Sequence, residues 1–242
     1  MRHDGRLPNE LRPVELVRGF TDAAPGSVLI RTGRTHVLCT ASILEDSVPP
    51  WRELSGQGWV TAEYEMLPAS TRNRRDRTRN KVDGRTHEIQ RLIARSLRAA
   101  VNMERLGAHT IYLDCDVLQA DGGTRTAAIT GAYVALCDAL DAGEERGLWG
   151  NDVRVAAVAA VSVGVVGGQI LLDLDYVEDS GAEVDANVVM TDFGEWIEVQ
   201  ATGEQTTFSP DQMTQMLELA RVGCQGLFQI QSAALAGAIP RG

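Results

Sequence analysis

A glycine pair between an apolar run and a helix-forming run constrains this chain more than any other feature. Residues 115–131 read Cys-Asp-Val-Leu-Gln-Ala-Asp-Gly-Gly-Thr-Arg-Thr-Ala-Ala-Ile-Thr-Gly. Glycine permits positive φ or a close backbone approach, and the first amides of a helix point outward, towards an anion. Arg125 adds a guanidinium that can contact a phosphate through two hydrogen bonds. The segment therefore predicts a phosphate site at a strand-to-helix turn, with a purely structural turn as the alternative.

Composition limits the classes of protein that the chain can belong to. It has 242 residues, 44% of them hydrophobic, which is enough to bury a large core. The net charge of −10 excludes a protein that coats nucleic acid with its whole surface, so any nucleic-acid site has to be local. No apolar stretch suits a membrane span, and we expect a cytoplasmic protein with no membrane partner. Buried thiols in a reducing compartment, without zinc spacing, are expected for Cys39, Cys115, Cys137 and Cys224.

One stretch reverses the charge of the chain. Residues 69–85 hold seven basic side chains and two acidic ones, a local charge of +5. A loop with so few apolar residues is expected to stay mobile until it binds a polyanion, and arginine suits both phosphates and bases. A solvated surface loop is the alternative. The candidate RNA ligands are Arg72, Arg74, Arg75, Arg77 and Arg79.

Hydrophobic periodicity and turn residues predict alternating groups of strands and helices. Strands are expected at residues 27–32, 36–44, 58–67, 110–118, 153–166, 169–177, 182–191 and 195–201. Helices are expected at residues 86–104, 124–140 and 210–234, the last with Ser209 as its N-cap. Groups of strands interrupted by helices are typical of an α+β domain. The sequence has no clear linker or internal repeat that would divide it.

Two carboxylates mark the second half of the chain. Asp179 is predicted at the end of one strand and Asp185 within the next, on either side of a turn at residues 180–182. A hairpin brings its two flanks together, so both carboxylates are expected to reach one ion. We predict a divalent metal site there.

The strand that follows this turn carries further oxygen ligands. Period-two alternation places Glu183, Asp185 and Asn187 on one face of the strand. Oxygen ligands of these types suit a magnesium ion that keeps several waters, whereas a solvent-facing polar stripe is the alternative. Asp173 and Asp175 form a similar pair in the preceding strand and are reserve candidates.

Five motifs are distributed along the whole chain. They are Met-Arg-His-Asp-Gly-Arg at 1–6, Gly-Trp-Val-Thr-Ala-Glu-Tyr-Glu-Met-Leu-Pro at 58–68, Gly-Arg-Thr-His-Glu-Ile-Gln-Arg-Leu-Ile at 84–93, Asp-Cys-Asp-Val-Leu-Gln-Ala-Asp-Gly-Gly-Thr-Arg-Thr at 114–126, and Glu-Asp-Ser-Gly-Ala-Glu-Val-Asp at 178–185. Together they resemble the ribonuclease PH family, which is related to polynucleotide phosphorylase and the exosome core subunits. The resemblance implies one domain over residues 1–242, with a catalytic core to about residue 235 and a short C-terminal tail. The implied fold is α+β, of the ribosomal S5 domain 2 type, with mixed β-sheets and packed helices.

The resemblance also implies an activity, that of a phosphate-dependent 3′→5′ exoribonuclease. Inorganic phosphate, as co-substrate, would attack the last phosphodiester of the RNA and release a nucleoside diphosphate. This reaction would trim the 3′ trailer of precursor tRNA, and its reverse, a nucleotidyltransferase reaction, would add nucleotides to RNA 3′ ends. Ribosomal RNA processing or degradation is a further expected role. The implied assembly is a homohexameric ring, a trimer of dimers.

Site residues can be carried over from the family position by position. The attacking phosphate is assigned to Arg85, Gly123, Thr124 and Arg125. Asp179 and Asp185 correspond to the paired carboxylates of the family, which are expected to hold Mg²⁺ or to assist proton transfer. The expected catalytic residues are therefore Asp179, Asp185 and Arg125.

Two other functions remain as alternatives. A catalytically silent RNA-binding ring subunit would share the fold, but retention of the two arginines and two aspartates argues against it. A nucleotide-binding phosphotransferase would use Gly122 and Gly123 as a phosphate loop, but the chain lacks the Gly-Lys-Ser/Thr ending of such loops.

Overall fold

The structure, a computed structural model, describes residues 2–76 and 83–237 and contains two β-sheets with helices packed against them. The strands are β1 Val14–Arg18, β2 Gly26–Thr32, β3 Thr35–Leu44, β4 Trp59–Met66, β5 Thr110–Gln119, β6 Val158–Val166, β7 Gln169–Leu172, β8 Val184–Thr191 and β9 Trp196–Gly203. The helices are α1 Gly84–Arg98, α2 Met103–Leu106, α3 Thr124–Glu145, α4 Tyr176–Ser180 and α5 Pro210–Ala236, with a 3₁₀ turn at Glu53–Ser55. This arrangement confirms the predicted α+β class.

The two sheets follow each other along the chain. The first has the strand order β1-β2-β3-β5-β4, in which only the β4–β5 pairing is parallel. The second is antiparallel throughout, with the order β7-β6-β8-β9. The predicted phosphate turn therefore follows β5 of the first sheet, whereas Asp185 lies on β8 of the second.

Helix α3 brings the two sheets together. Every residue from 126 to 140 is buried, because small side chains allow neighbours to pack on all sides of the helix. Thr130 of α3 accepts a hydrogen bond at 3.2 Å from the amide of Ala160 on β6. Gln231 of α5 donates to the carbonyls of Thr130 and Val158, both at 3.0 Å. The N-terminus of α3 is thus held in a fixed place relative to both sheets.

Local capping explains where the other helices begin. The Asp83 carboxylate accepts a hydrogen bond from the Thr86 amide at 2.7 Å and starts α1. Ser209 and Gln212 form a capping box at the start of α5, which confirms the predicted N-cap. Asp175 and Glu178 form a second capping box, at the start of α4.

The second capping box makes the predicted strand at residues 169–177 wrong beyond Leu172. Asp173 has a φ of 54°, which ends the extended backbone, and the capping box then begins α4 at Tyr176. Residues 180–182 are therefore not a hairpin turn, and Asp179 lies on a helix. The sequence contained this signal, since an Asp three residues before a Glu is a helix-start pattern.

Two other predicted elements were too long. The helix predicted at 86–104 ends at Arg98, because the backbone of residues 101–102 pairs with residues 153–154 instead. The same pairing delays the strand predicted at 153–166 until Val158. Strand β1 was not predicted at all, because five residues carry little periodicity.

The cysteines agree with their sequence pattern. All four are buried and are free thiols in the described part of the chain.

Among the helices of residues 2–76 and 83–237, none is long and apolar enough to cross a membrane.

The contact between α3 and β2 gives a test of this packing. A Cβ at Gly26 would lie 1.9 Å from the carbonyl oxygen of Ala135, so Gly26→Ala should force α3 away from the sheet. We expect a loss of about 1–3 kcal/mol in the free energy of unfolding, measured by urea denaturation. Gly226→Ala on α5 is the control, because its Cβ would meet Leu11 at an ordinary 3.4 Å. Equal stability of Gly26→Ala and wild type would contradict the close contact.

Candidate active site

The turn between β5 and α3 has the geometry of an anion site. Gly123 is the N-cap residue of α3 with a φ of 64°, and within the described residues no side chain caps this helix end. The amides of the first helical turn therefore have no intrahelical acceptor and can donate to a bound anion. The Tyr64 hydroxyl, on β4, donates to the Thr124 hydroxyl at 2.8 Å and fixes it at the rim of the turn. The predicted strand-to-helix turn is confirmed.

Gly122 places this turn against the start of α4. Its φ is 75°, and a Cβ there would lie 2.6 Å from the carbonyl carbon of Asp175 and 2.8 Å from the amide nitrogen of Tyr176. No side chain larger than hydrogen fits this approach. Since Asp179 is on α4, the glycine pair brings the carboxylate helix next to the phosphate turn.

Arg125 lies at the meeting point of three elements. Its Nη1 donates to Gln200 Oε1 on β9 at 3.0 Å and lies 3.4 Å from Glu88 Oε1 on α1. Gln200 Nε2 also donates to Glu88 Oε1, at 3.2 Å. The guanidinium, 18% exposed, is thus held beside the open helix terminus with donors to spare for a ligand.

Arg85 lies in the first turn of α1 and is exposed. Its charge and that of Arg125 both act on Tyr64, where they oppose the increase in pKa that burial of the phenol causes. Both charges also act on Asp179. The structure therefore brings the two predicted phosphate-binding arginines to the same place as Thr124.

The two predicted carboxylates are close enough to repel each other. Burial raises the pKa of Asp179, against the lowering effect of Arg85 and Arg125. Burial, and then the negative charge of Asp179, raise the pKa of Asp185 to about 6, although Arg125 opposes this. Asn187 Nδ2 donates weakly to Asp185 Oδ2, at 3.4 Å. A bound cation would relieve the repulsion between the carboxylates.

This pair of carboxylates suits magnesium better than a metal that needs a protein cage. Within residues 2–76 and 83–237 there is no cluster of three or more His, Cys, Asp or Glu side chains that would enclose an ion. Magnesium is usually held by one or two carboxylates, with waters and substrate phosphate as its other ligands. Asp179 and Asp185 fit that pattern, and their burial and repulsion favour a cation.

Three other acidic candidates have structural roles instead. Glu183 precedes β8 and accepts a hydrogen bond from the Gly168 amide at 2.9 Å, at the turn between β6 and β7. Asp173 forms an ion pair with Arg12 at 2.7 Å, and Asp175 caps α4. Protein donors therefore already engage Glu183 of the predicted stripe and the reserve candidates Asp173 and Asp175.

The described part of the basic loop is only partly exposed. Arg72 and Arg74 are exposed, and Arg74 pairs with Asp76 at 3.0 Å. Arg75 contacts the Met66 sulfur at 3.1 Å, so this side chain packs against the end of β4. The other two candidate RNA ligands, Arg77 and Arg79, lie outside the described residues.

Sequence reasoning did not single out three residues of the site. Tyr64 and Glu88 are within quoted motifs, where the available signals were a phenol on the same strand face as Val60 and Ala62 and a carboxylate three residues after Arg85. Gln200 carried no signal, because its role depends on β9 lying beside α1 and α3.

Two protein-family models match this chain, one over each of the two sheets. Residues 10–140 match the model of the 3′ exoribonuclease family, domain 1, and residues 156–223 match that of domain 2. A protein named ribonuclease PH from Corynebacterium kroppenstedtii is 56% identical over 243 residues, covering 100% of this chain and 95% of the relative. One of the same name from Corynebacterium glutamicum is 58% identical over 236 residues, covering 97% of this chain and 96% of the relative.

The chain belongs to the 3′ exoribonuclease family. The family and enzyme class predicted from the motifs, a phosphorolytic 3′→5′ exoribonuclease, are confirmed. Solved structures agree on the fold: rice (Oryza sativa) Rrp46 aligns with a TM-score of 0.81 at 18% identity, over 98% of this chain and 100% of that one. The Archaeoglobus fulgidus exosome with RNA bound to the active site aligns with a TM-score of 0.79 at 20% identity, over 94% of this chain and 91% of that one.

The raised pKa of Asp185 predicts a pH-dependent cost to folding. A carboxyl with a folded pKa of about 6 and an ordinary value of 3.8 stabilises the fold at low pH, and this contribution is lost as the pH rises through 6. Asp185→Asn removes the effect. The free energy of unfolding is measured by urea denaturation in EDTA. Between pH 4.5 and pH 8, the value for the variant should increase by about 2 kcal/mol relative to that of wild type.

An exposed carboxylate supplies the control for this measurement. Asp152→Asn, with a side chain 52% exposed, should keep the wild-type pH dependence of stability. A constant difference between Asp185→Asn and wild type at all pH values would show that the site does not destabilise the ionised carboxylate.

Proposed function

We propose that this phosphorolytic exoribonuclease trims the 3′ trailer of precursor tRNA and uses the residues of the turn and of the carboxylate pair for catalysis. The observation that supports this most is the meeting of an open helix N-terminus and two arginines with two repelling carboxylates. Phosphorolysis needs both parts, because an anionic nucleophile has to be held against an anionic phosphodiester. The reverse reaction would use the same geometry to extend RNA 3′ ends.

The phosphate nucleophile binds at the start of α3 in this proposal. The amides after Gly123, the Thr124 hydroxyl and the Arg125 guanidinium supply donors on one side, and Arg85 supplies a second positive charge. Tyr64 orients Thr124 by donating to its oxygen, which leaves the Thr124 proton free to point towards phosphate. These groups offset the charge repulsion between the phosphate and the RNA backbone.

Asp179 and Asp185 act on the opposite side of the reacting phosphorus. A magnesium ion held by both carboxylates would supply positive charge to the scissile phosphate and to the leaving 3′ oxygen. Alternatively, when no ion is bound to it, Asp185 has a pKa raised to about 6 and can hold or release a proton near neutral pH. Protonation of the leaving 3′ oxygen is the step that needs such a group.

Arg72, Arg74, Arg75, Arg77 and Arg79 are proposed to grip RNA outside the active site. The charge contrast supports this role, since a loop of charge +5 lies on a chain whose net charge is −10.

We further propose that the chain is a single catalytic domain over residues 1–242, that it is cytoplasmic, and that it assembles as a hexameric ring of three dimers. The sharing of α3 between both sheets supports one domain rather than two independent ones.

The decisive test is the phosphate dependence of nucleotide release. Purified protein is incubated with a precursor tRNA that carries a 3′ extension, with magnesium, in the presence and absence of inorganic phosphate. We expect nucleoside diphosphates only when phosphate is present. Release of monophosphates without phosphate would mean hydrolysis, and the absence of any release would favour the silent ring subunit.

Two variants separate the roles within this assay. Asp185→Asn should lower kcat by about a thousandfold with little change in the RNA dissociation constant, because the carboxylate acts on the reacting phosphate. Arg125→Lys should raise the phosphate KM, because the two-pronged contact is lost. Loss of RNA binding in Asp185→Asn equal to its loss of turnover would contradict the assignment.

The loop proposal predicts a change in salt dependence. The double variant Arg72→Gln/Arg74→Gln should weaken tRNA binding and reduce the slope of log affinity against log salt by about 1–2, because two phosphate contacts are lost. Arg31→Gln/Arg221→Gln, two exposed arginines away from the loop, removes the same net charge and should keep the wild-type slope. Identical slopes for both double variants would rule out a loop contact.

A further inference from the structure

The N-terminal segment contributes three buried arginines to the region between the phosphate turn and the carboxylate helix. The side chains of Arg2, Arg6 and Arg12 are 1%, 8% and 5% exposed. Burial of arginine is costly unless every donor finds a partner, so three such residues within eleven positions require a strong local reason. Their partners include Asp121, Asp173 and Glu178, which belong to the glycine turn and to the segment that carries Asp179.

Arg12 joins the two halves of the site directly. Its Nη2 and Nε bind the two oxygens of Asp173 at 2.7 and 3.0 Å, and its Nη1 donates to the carbonyl of Asp121 at 2.6 Å. Asp121 begins the glycine turn, whereas Asp173 follows β7 and leads into α4. One guanidinium therefore connects the phosphate turn to the segment that carries Asp179.

The backbone at Asp173 shows that this contact holds a strained conformation. A φ of 54° is unfavourable for a residue with a side chain. The Arg12 amide donates to the Asp173 carboxylate at 2.8 Å, and the Asp173 amide donates to the Ser162 carbonyl at 2.7 Å. These contacts together fix the direction in which the chain leaves β7 and enters α4.

Arg2 holds α4 from the other side. It binds both oxygens of Glu178 at 2.8 and 2.6 Å and donates to the carbonyl of Leu172 at 2.8 Å. Glu178 precedes Asp179 and also completes the capping box of α4. Arg6 adds a hydrogen bond to the Asp173 carbonyl at 3.0 Å.

We infer that Arg12 and Arg2 are positioning residues, which set the distance between the phosphate-binding turn and the helix that carries Asp179. Arg12 acts on both the turn and the carboxylate segment, whereas Arg2 acts on the carboxylate helix and the residues that lead into it but makes no contact with the turn. This inference rests on the proposed roles of the turn and the carboxylates. The two residues should consequently affect different kinetic constants.

Lysine variants test this division. Lysine keeps the charge but cannot bind two carboxylate oxygens and a carbonyl in one plane. Arg12→Lys should raise the KM for phosphate and lower kcat, each by about tenfold, because a small misplacement of reacting groups is costly. Arg2→Lys should lower kcat by a similar factor and leave the phosphate KM unchanged, and neither variant should change the dissociation constant for RNA.

Arg18→Lys is the matched control. Arg18 is also a buried arginine, 8% exposed, with its Nε 3.0 Å from Asp138 Oδ1. Asp138 lies fourteen residues along α3 from the phosphate turn, a distance of about 20 Å at the rise of an α-helix. Arg18→Lys should lower the melting temperature and leave kcat and both KM values unchanged.

Direct binding of inorganic phosphate, measured by calorimetry, separates this inference from the proposed function. Arg12→Lys should weaken phosphate binding about tenfold, and guanidinium ion at millimolar concentration should restore part of the turnover of Arg12→Ala. If wild type is phosphate-dependent and Arg12→Lys keeps the wild-type kcat and KM but has a lower melting temperature, as expected for Arg18→Lys, the positioning role is overturned and the proposed function stands.

If Arg12→Lys does not fold, Arg2→Lys decides: a lower kcat with an unchanged phosphate KM supports the inference, and an unchanged kcat overturns it. If wild type releases nothing with phosphate, the proposed function fails on its own account, and calorimetry alone decides whether Arg12 shapes the turn.

Discussion

The close approach of the glycine turn to the start of α4 is the constraint on which the rest of the site depends. The backbone of Asp175 lies so close to Gly122 that a Cβ added there would be only 2.6 Å from the Asp175 carbonyl carbon. Glycine at this position therefore allows two segments that belong to different sheets to meet. The approach also brings the carbonyls of the turn within reach of Arg12, which binds Asp173 on the other side. The proposed phosphate site and the carboxylate pair thereby lie next to each other, as the proposed reaction requires.

Electrostatics within this centre is arranged for ligands rather than for stability. Burial raises the pKa of both carboxylates, the negative charge of Asp179 raises that of Asp185 further, and Arg125 offsets these effects only in part. On the other side, an open helix terminus and two arginines collect positive charge that favours a phosphate. In the proposed function, a bound phosphate and a bound cation would each reduce one of these imbalances, so free energy lost on folding would be regained on binding.

The family's two sequence units correspond to the two sheets, yet the proposed active site takes residues from both. Residues 10–140 contribute the turn and the arginines, whereas residues 156–223 contribute the carboxylates and Gln200. Helix α3 lies between the sheets because small residues let it be buried on every side, and its N-terminus is where the two contributions meet. Packing of this helix therefore fixes the positions of the residues in the proposed active site as well as those in the core.

The sequence by itself determined the features that depend on neighbours in the chain. The glycine turn, the N-cap of α5, most strand positions and the phosphate and carboxylate motifs could all be predicted, because turn chemistry, capping and periodicity are local. The helical position of Asp179 was missed although its capping box was in the sequence, since the alternation of Asp173 and Asp175 was interpreted as a strand. Only the tertiary structure decided that Asp173 pairs with Arg12 and that Gln200 holds Arg125. The two partners are 161 positions apart in one case and 75 in the other, and no local pattern encodes which buried charges meet once the sheets have packed.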